Sequence, residues 1–451
     1  KSSLNITAIL LFYFSICWAK AIEKRYTEAS LKIIAEAMSD STAFNRLSYL
    51  CDTFGPRLSG SKNLEDAIDW IIREMKYDGL QNVVGERVRV PVWLRGKESV
   101  TLLRPFEKEM EILGVGGSIG TPKSGITSDV IVVRDFSELE QKKNQIKGKV
   151  VLFNVDYSNY GDVLKYRYSG ASEAAKYGAR GSLLRSITPW SVHTPNTGLL
   201  AYNNGLKKIP YASLTVEDAM MMQRLYDRGQ KMTIKMQMSS KLVSDRWSRN
   251  IIAELRGSTY PDEIVLLGGH IDSWDVGQGA HDDAGGCLAS WEAVRLIKKL
   301  NFKPKRTIRC VLWTNEENGG RGSIAYRDMH LDELDKHIVT IVSDMGVFAP
   351  EGFAFSGSAK AKKVIEKISV LMKPINANKL IENGRTSDVL ILNGEGIPSL
   401  SLFVDNPKYF LYQHSSADTF DKVDFHEFNK CVSALSIMAY VIADLNSPLW
   451  R

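Results

Sequence analysis

The sequence predicts an α/β fold with a mixed, largely parallel sheet that is flanked by helices. Three apolar runs support this prediction, at residues 264–267, 310–313 and 339–342. Strands of a parallel sheet are covered on both faces, so they read as continuous apolar runs without polar alternation. Each run leads into a polar segment, and ligands of open α/β sheets bind beyond the carboxyl ends of the strands. We therefore expect the polar segments to meet in space.

The earlier part of the chain adds a helix and two strands. In residues 62–79, apolar side chains recur every three or four positions, and Ser61 or Asn63 is the candidate cap. Alternation of polar and apolar residues at 86–90 and at 99–103 predicts the strands.

The local composition becomes glycine-rich at residues 114–120, which read Gly-Val-Gly-Gly-Ser-Ile-Gly. This spacing approaches that of a dinucleotide-binding loop, but Ile119 takes the place of the third glycine and no βαβ pattern follows. A linker at a domain boundary is the better interpretation. Up to about residue 238 the chain then alternates elements of its own, with strands at 130–133, 150–153 and 182–184 and helices at 172–177 and 217–226.

Length and composition limit the class of protein. A chain of 451 residues is too long for one ordinary core and predicts two or three domains. The hydrophobic fraction of 44% and the charged fraction of 24% exclude a disordered or fibrous protein. The formal net charge is +6 without a concentrated basic tract, so nucleic-acid binding is not predicted. Apart from Cys17, the cysteines are widely spaced, which favours buried thiols over a disulfide framework.

Residues 1–21 predict a cleaved secretory leader. Lys1 supplies a positive end, residues 8–18 are mostly apolar, and Ala-Lys-Ala at 19–21 has the form of a cleavage site. A buried helix and a membrane anchor are the alternatives. The apolar run is well short of the roughly 20 residues that span a bilayer, which argues against an anchor. The predicted destination is therefore extracellular or lysosomal.

Five side chains in or near the polar segments offer the ligands that hydrolytic zinc requires. Zinc binds imidazole nitrogen and carboxylate oxygen, and two zinc ions about 3.5–4 Å apart can share a carboxylate. Asp282 is the candidate bridge, because a carboxylate has two oxygens to divide between metals. His270 and Glu317 would complete one metal site. Asp344 and His414 would complete the other.

Two further acids are assigned to catalysis. Glu316 is the predicted general base, because two adjacent glutamates point in different directions and do not easily bind one metal. Asp272, two residues after His270, is predicted to accept the other ring N–H of that histidine. His281 is the rival as a ligand, but it directly precedes the bridging aspartate, and adjacent side chains rarely reach one metal.

These motifs resemble the co-catalytic zinc exopeptidases, a family that includes aminopeptidases and glutamate carboxypeptidases. Within the family, residues 269–280 and 55–61 are similar to the branch of the plasma glutamate carboxypeptidases. The resemblance implies the same five zinc ligands, with Glu316 as base and Asp272 behind its histidine. It also implies a non-proline cis peptide after Asp282.

The resemblance further implies a catalytic α/β domain that is divided by an inserted protease-associated α/β domain. The predicted units are a leader at 1–21, catalytic segments at 22–111 and 239–451, and the insertion at 112–238. The chain departs from its relatives after His414, where Ser-Ser-Ala-Asp replaces a second histidine and a glycine. This departure leaves the ligands untouched but leaves substrate preference open. A homodimer is implied by the resemblance alone.

The prediction is a secreted or lysosomal exopeptidase with two zinc ions per chain. It is of the carboxypeptidase or dipeptidase type and hydrolyses dipeptides or short peptides with free termini. Its expected partner is the peptide substrate. Binding to nucleic acid or to a membrane is not predicted. The alternatives are an aminopeptidase with broader length tolerance and a non-catalytic, receptor-like member of the fold. The receptor-like alternative is disfavoured because the ligand set and the base are complete.

Overall fold

The computed structural model describes residues 22–190, 192–384 and 387–449, and the predicted leader at 1–21 lies outside this part of the chain. The described strands form two eight-stranded sheets. In chain order they are β1 Gln81–Leu94, β2 Glu98–Arg104, β3 Lys108–Met110, β4 Ile112–Gly114, β5 Ile126–Val133, β6 Val150–Phe153, β7 Gly181–Arg185, β8 Tyr211–Leu214, β9 Thr233–Met238, β10 Lys241–Leu255, β11 Tyr260–His270, β12 Arg306–Trp313, β13 His337–Val342, β14 Pro350–Ser356, β15 Lys379–Glu382 and β16 Ser399–Val404.

The helices surround both sheets. The first, α1, runs over residues 22–39. The others are α2 Thr42–Phe54, α3 Lys62–Tyr77, α4 Phe136–Gln141, α5 Tyr160–Lys176, α6 Val216–Asp227, α7 Gly285–Lys299, α8 Arg321–Met329, α9 Ala359–Ser369, α10 Val389–Gly394, α11 Tyr409–Tyr412 and α12 Phe425–Asp444. A single π turn, Ala280–Ala284, precedes α7. None of the described helices is both long and apolar enough to span a membrane.

The first sheet has the strand order β1-β10-β12-β11-β13-β16-β14-β15. Its central strands β12, β11, β13 and β16 are parallel, whereas β10 and β14 pair with them antiparallel. Helices α7 and α12 pack on one face, and α8 and α10 pack on the other. Because both faces are covered, β12 and β13 are buried along their whole length, and their apolar side chains belong to the core on either face. The predicted mixed, largely parallel sheet with flanking helices is confirmed.

The second sheet has the order β3-β2-β9-β5-β6-β7-β8-β4 and is built from residues 98–238, which we call the second lobe. The rest of the described chain is the main lobe. Strands β5 to β8 are parallel, and the predicted strands at 130–133, 150–153 and 182–184 lie in β5, β6 and β7. The chain passes between the lobes at residues 95–97 and 239–240. The second sheet thus begins before residue 112, where the sequence predicts the boundary.

Two local predictions in these lobes have different outcomes. The helix expected at 62–79 is α3, and the Ser61 hydroxyl caps it by accepting a hydrogen bond from the N–H of Leu64 over 3.2 Å. The helix expected at 172–177 begins much earlier, because α5 starts at Tyr160 behind an Asn159 cap. Gly161 and several polar residues interrupt the apolar spacing in its first turns, so the sequence pattern predicted only its end.

The glycine-rich stretch is only partly a linker. Residues Ile112–Gly114 form β4, which pairs antiparallel with β8 at the sheet edge. Just beyond, a Cβ atom on Gly116 would lie 2.0 Å from the indole ring of Trp274 in the main lobe. Gly116 therefore permits close packing between the two lobes.

Candidate metal centre

The predicted ligands lie on loops at one edge of the first sheet. His270 is the last residue of β11, and Asp344 lies two residues after β13. Glu317 lies in the turn that follows β12. Asp282 lies in the π turn before α7, and His414 lies two residues after α11. Because parallel strand ends meet at the same edge, residues far apart in the chain come together here.

One group of ligand-type atoms surrounds His270. Its Nε2 atom lies 3.2 Å from Asp282 Oδ1 and 3.1 Å from Asp344 Oδ1. The histidine and Asp282 are buried, and Asp344 is half-buried. These three side chains form a compact set that could hold a metal ion.

A second group surrounds His414. Its Nε2 atom lies 3.2 Å from Asp282 Oδ2 and 3.1 Å from Glu317 Oε2. Asp282 therefore belongs to both groups, with one oxygen turned towards each histidine. A carboxylate in this position is arranged to bridge two cations.

The grouping of ligands predicted from the sequence is wrong. His270 lies with Asp344, and Glu317 lies with His414, whereas the prediction joined His270 with Glu317. Strand order alone does not separate the two groupings, because β11 pairs in parallel with both β12 and β13. Asp344 lies two residues beyond β13, whereas Glu317 lies four residues beyond β12, in a turn that places it beside His414.

The donor set fits divalent cations. Glu317 Oε1 is buried, yet it accepts no hydrogen bond from any described residue. A buried carboxylate oxygen without a partner is costly. Ligand atoms about 2.0–2.1 Å from a tetrahedral zinc ion lie roughly 3.3 Å apart, close to the N···O separations in both groups. These N···O separations are therefore compatible with a cation held between the atoms of each group.

The electrostatics of the cluster favour positive charge beside each imidazole. Burial disfavours the charged form of Asp282, but hydrogen bonds with His270 and His414 hold its pKa well below the usual range. Burial also disfavours the charged form of His270, but the carboxylates of Asp344 and Asp282 raise its pKa well above the usual value. The carboxylates thus attract a cation to the place that each imidazole nitrogen faces.

Glu316 lies beside these groups and is half-buried. Burial raises the pKa of its carboxyl well above the usual value, the facing His270 lowers it, and Asp344 raises it. A carboxyl group that holds its proton more tightly than usual is suited to transfer protons near neutral pH.

Asp272 makes different contacts from those predicted. The ring Nδ1 of His270 lies 3.0 Å from the backbone carbonyl oxygen of Asp272 but 3.8 Å from its carboxylate. The carboxylate instead accepts the backbone N–H groups of Glu316 and Glu317, over 3.0 and 3.3 Å, and the Ser59 hydroxyl over 3.2 Å. The carboxylate does not hydrogen bond with the imidazole because its oxygens accept from the loop that carries the two glutamates.

Two other acids hold the site and were missed by the sequence reasoning. Asp283 accepts the backbone N–H groups of His270 and Gly286, each over 3.1 Å. Asp418 accepts the backbone N–H groups of His281 and Asp282, over 2.9 and 3.1 Å. The doubled aspartate was the available signal for the first, and the peptide that joins Asp282 to Asp283 is cis, as expected from the resemblance.

His281 is occupied elsewhere. Its Nε2 lies 3.2 Å from the carbonyl oxygen of Lys422, and its Nδ1 accepts the N–H of Val347 over 3.3 Å. Its ring stacks on Phe348 with centroids 4.1 Å apart. These contacts use both ring nitrogens, so His281 is structural.

Residues of the second lobe also contact the candidate metal centre. No local sequence motif predicted these contacts. Arg167 of α5 donates through Nη1 to the carbonyl of Thr197 over 3.1 Å, and Nη1 lies 3.3 Å from His414 Nδ1. Its Nη2 donates to the hydroxyl of Tyr160 over 2.7 Å. Arg167 and His414 are 247 positions apart, so their contact cannot be predicted from local sequence.

Comparison with known proteins identifies relatives of this chain. The family model for Peptidase family M28 matches residues 250–438. Carboxypeptidase Q of Mus musculus is 44% identical over 424 residues, which cover 94% of this chain and 90% of that protein. This similarity extends through both lobes.

Solved structures share the fold. A Peptidase M28 precursor from Shewanella amazonensis SB2B superposes with a TM-score of 0.91 at 31% identity, covering 95% of this chain and 99% of that chain. A zinc aminopeptidase from Bacillus subtilis has a TM-score of 0.66 at 19% identity, covering 88% and 93%, and is alike in fold alone. The relatives confirm the predicted resemblance to the glutamate carboxypeptidase branch and the predicted class of metal-dependent exopeptidase. The chain therefore belongs to peptidase family M28.

Proposed function

We propose that the protein is a dinuclear zinc exopeptidase of the carboxypeptidase or dipeptidase type. The observation that carries this proposal is the pair of ligand groups that share Asp282. Mixed imidazole and carboxylate ligands suit zinc, and a relative in fold from Bacillus subtilis is a zinc aminopeptidase. His270, Asp344 and Asp282 would hold one ion, and Glu317, His414 and Asp282 would hold the other.

Glu316 acts as the proton carrier in this proposal. When bound, the zinc pair supplies Lewis acidity that polarises the scissile carbonyl and lowers the pKa of water. The Glu316 carboxylate takes a proton from the attacking water and passes it to the leaving amine as the C–N bond breaks. Asp272 holds the backbone of Glu316 through the hydrogen bond to its N–H and thereby positions the base.

Arg167 supports a substrate with a free carboxyl terminus. Its side chain is buried, and no carboxylate among the described residues pairs with it. Its Nε atom also lacks a hydrogen-bond partner in the described chain. A buried guanidinium without a counter-ion is unfavourable, and a terminal carboxylate bound beside His414 would supply both the charge and the acceptors. An aminopeptidase has no need of such a group.

The second lobe and the leader complete the proposal. We take the second lobe as the protease-associated insertion of the family, with its boundary near residue 98. The leader-like character of residues 1–21 supports secretion or delivery to lysosomes.

Three forms of one dipeptide test the proposal: the free dipeptide, its C-terminal amide and its N-acetyl derivative. We expect cleavage of the free dipeptide, weak cleavage of the amide, loss of activity with a chelator and recovery with zinc. Equal cleavage of the amide and the free acid, with no cleavage of the N-acetyl form, would establish an aminopeptidase instead. A protein that binds two zinc ions and cleaves none of the three would match the receptor-like alternative.

A further inference from the structure

Each polar group of Thr197, in the second lobe, lies within hydrogen-bonding distance of a partner, and two of these contacts are with His414. It is fully buried, in the segment between β7 and β8. Its hydroxyl donates to the carbonyl of Gly114 over 2.8 Å. Its backbone N–H donates to the carbonyl of His414 over 2.8 Å, and its own carbonyl lies 3.3 Å from His414 Nδ1.

The ring of His414 has one tautomer that suits a metal ligand. Its Nε2 faces the oxygens of Asp282 and Glu317, so this nitrogen must carry the lone pair when it binds a cation. Nδ1 then carries the proton and donates it to the Thr197 carbonyl. A hydrogen bond of this kind fixes the ring orientation of a ligating histidine and increases its basicity.

The hydroxyl of Thr197 holds that carbonyl in place. The carbonyl of Gly114 accepts from Thr197 and also from Arg95 Nη1, over 2.6 Å. Arg95 in turn makes a bidentate ion pair with Asp275, over 2.8 and 2.6 Å. Asp275 lies in the loop that follows His270. A continuous chain of contacts thus joins the two ligand groups through the second lobe.

We propose that Thr197 is a positioning residue for His414, and that the second lobe is thereby a structural part of the metal centre. This inference rests on the proposed zinc function. Thr197→Val removes the hydroxyl while it keeps the volume of the side chain, and Thr197→Ser keeps the hydroxyl. The two variants therefore separate the hydrogen bond to Gly114 from packing.

Zinc titration of the metal-free protein by calorimetry is the test, with the parent and both variants at one pH. We expect Thr197→Val to weaken one of the two zinc ions by about 10–100-fold and to leave the other at the parental affinity. Thr197→Ser should bind both ions as the parent does. Parental affinity for both ions in Thr197→Val, or equal weakening in both variants, would overturn the inference alone. A parent that binds no pair of zinc ions would overturn the proposed function itself.

Arg95→Lys provides a second route if Thr197→Val does not fold, as judged by its far-ultraviolet circular dichroism. A lysine keeps the charge but loses the bidentate pairing with Asp275, so the Gly114 carbonyl is less firmly held. We expect the same zinc ion to bind more weakly. Unchanged affinity for both ions in Arg95→Lys would then count against the inference.

Discussion

The carboxylate of Asp272 accepts the backbone N–H of Glu316 over 3.0 Å, so the proposed base is fixed by its main chain. An amide in place of this carboxylate retains only one acceptor oxygen for three donors. We expect Asp272→Asn to lower kcat by about 10–100-fold, a typical effect of such supporting groups. Zinc content should stay at two ions per chain, measured by elemental analysis beside the kinetics. A parental kcat in this variant would remove Asp272 from the mechanism.

Glu316→Gln should abolish most of the activity without loss of metal. General acid–base catalysis contributes about 10²–10⁴-fold, so we expect kcat to fall by that factor with KM little changed. The matched control is Glu317→Gln, which alters a side chain 3.1 Å from His414 Nε2 and should lower zinc content as well. If Glu316→Gln turned over substrate at the parental rate, the proton would have to travel by another group.

Arg167→Gln should act on the carboxyl terminus of the substrate. Removal of one partner of a buried charge pair costs about 2 kcal/mol or more, which corresponds to an increase in KM of roughly 30-fold. The C-terminal amide should show no comparable change. Arg185→Gln is the control, because Arg185 also lies in the second lobe but donates to the Val155 carbonyl instead. An equal increase in KM for the free acid and the amide would show that Arg167 does not bind the terminal carboxylate.

His337 should make folding stability depend on pH. Its Nδ1 lies 2.9 Å from the carbonyl of Glu333 and its Nε2 lies 2.9 Å from the hydroxyl of Tyr326. Burial lowers the pKa of His337 from 6.5 to about 4. Between these values the unfolded chain binds more protons, so stability that is fully present above pH 6.5 is lost as the pH falls to 4.

Denaturant titrations should detect this dependence. For His337 alone we expect a loss of about 2 kcal/mol between pH 7 and pH 5. His337→Gln should flatten the pH dependence, whereas His426→Gln on the exposed face of α12 should leave it unchanged. The same slope in the parent and in His337→Gln would assign the effect to other groups.

Residue type predicted which side chains come together at the candidate metal centre better than it predicted how they are grouped. The apolar runs before His270 and Asp344 predicted the buried parallel strands. Strands that are covered on both faces read as near-continuous apolar runs. The association of these two residues depends on where the loops after the strands place their side chains, which the runs do not encode. The direction in which the Asp272 carboxylate points is set by the loop after β12, a tertiary contact.

The contacts between the second lobe and His414 could not be predicted from local sequence patterns. Thr197 lies 217 positions from His414, and a threonine in a polar loop has no signature that separates a structural role from a supporting one. The glycine-rich stretch before it was visible, but its cause, the close approach of Gly116 to Trp274, involves the other lobe.

Leu94 and Lys241 are paired on adjacent strands, so the chain leaves the main lobe and returns to it at neighbouring points. By topology alone the second lobe could be excised and the ends rejoined without disturbing the pairing of the first sheet. Such a shortened protein would nevertheless lose the carbonyl that faces His414 and the guanidinium beside it. If the proposed metal centre holds, loss of this module would weaken the site even though the pairing of the first sheet would tolerate it.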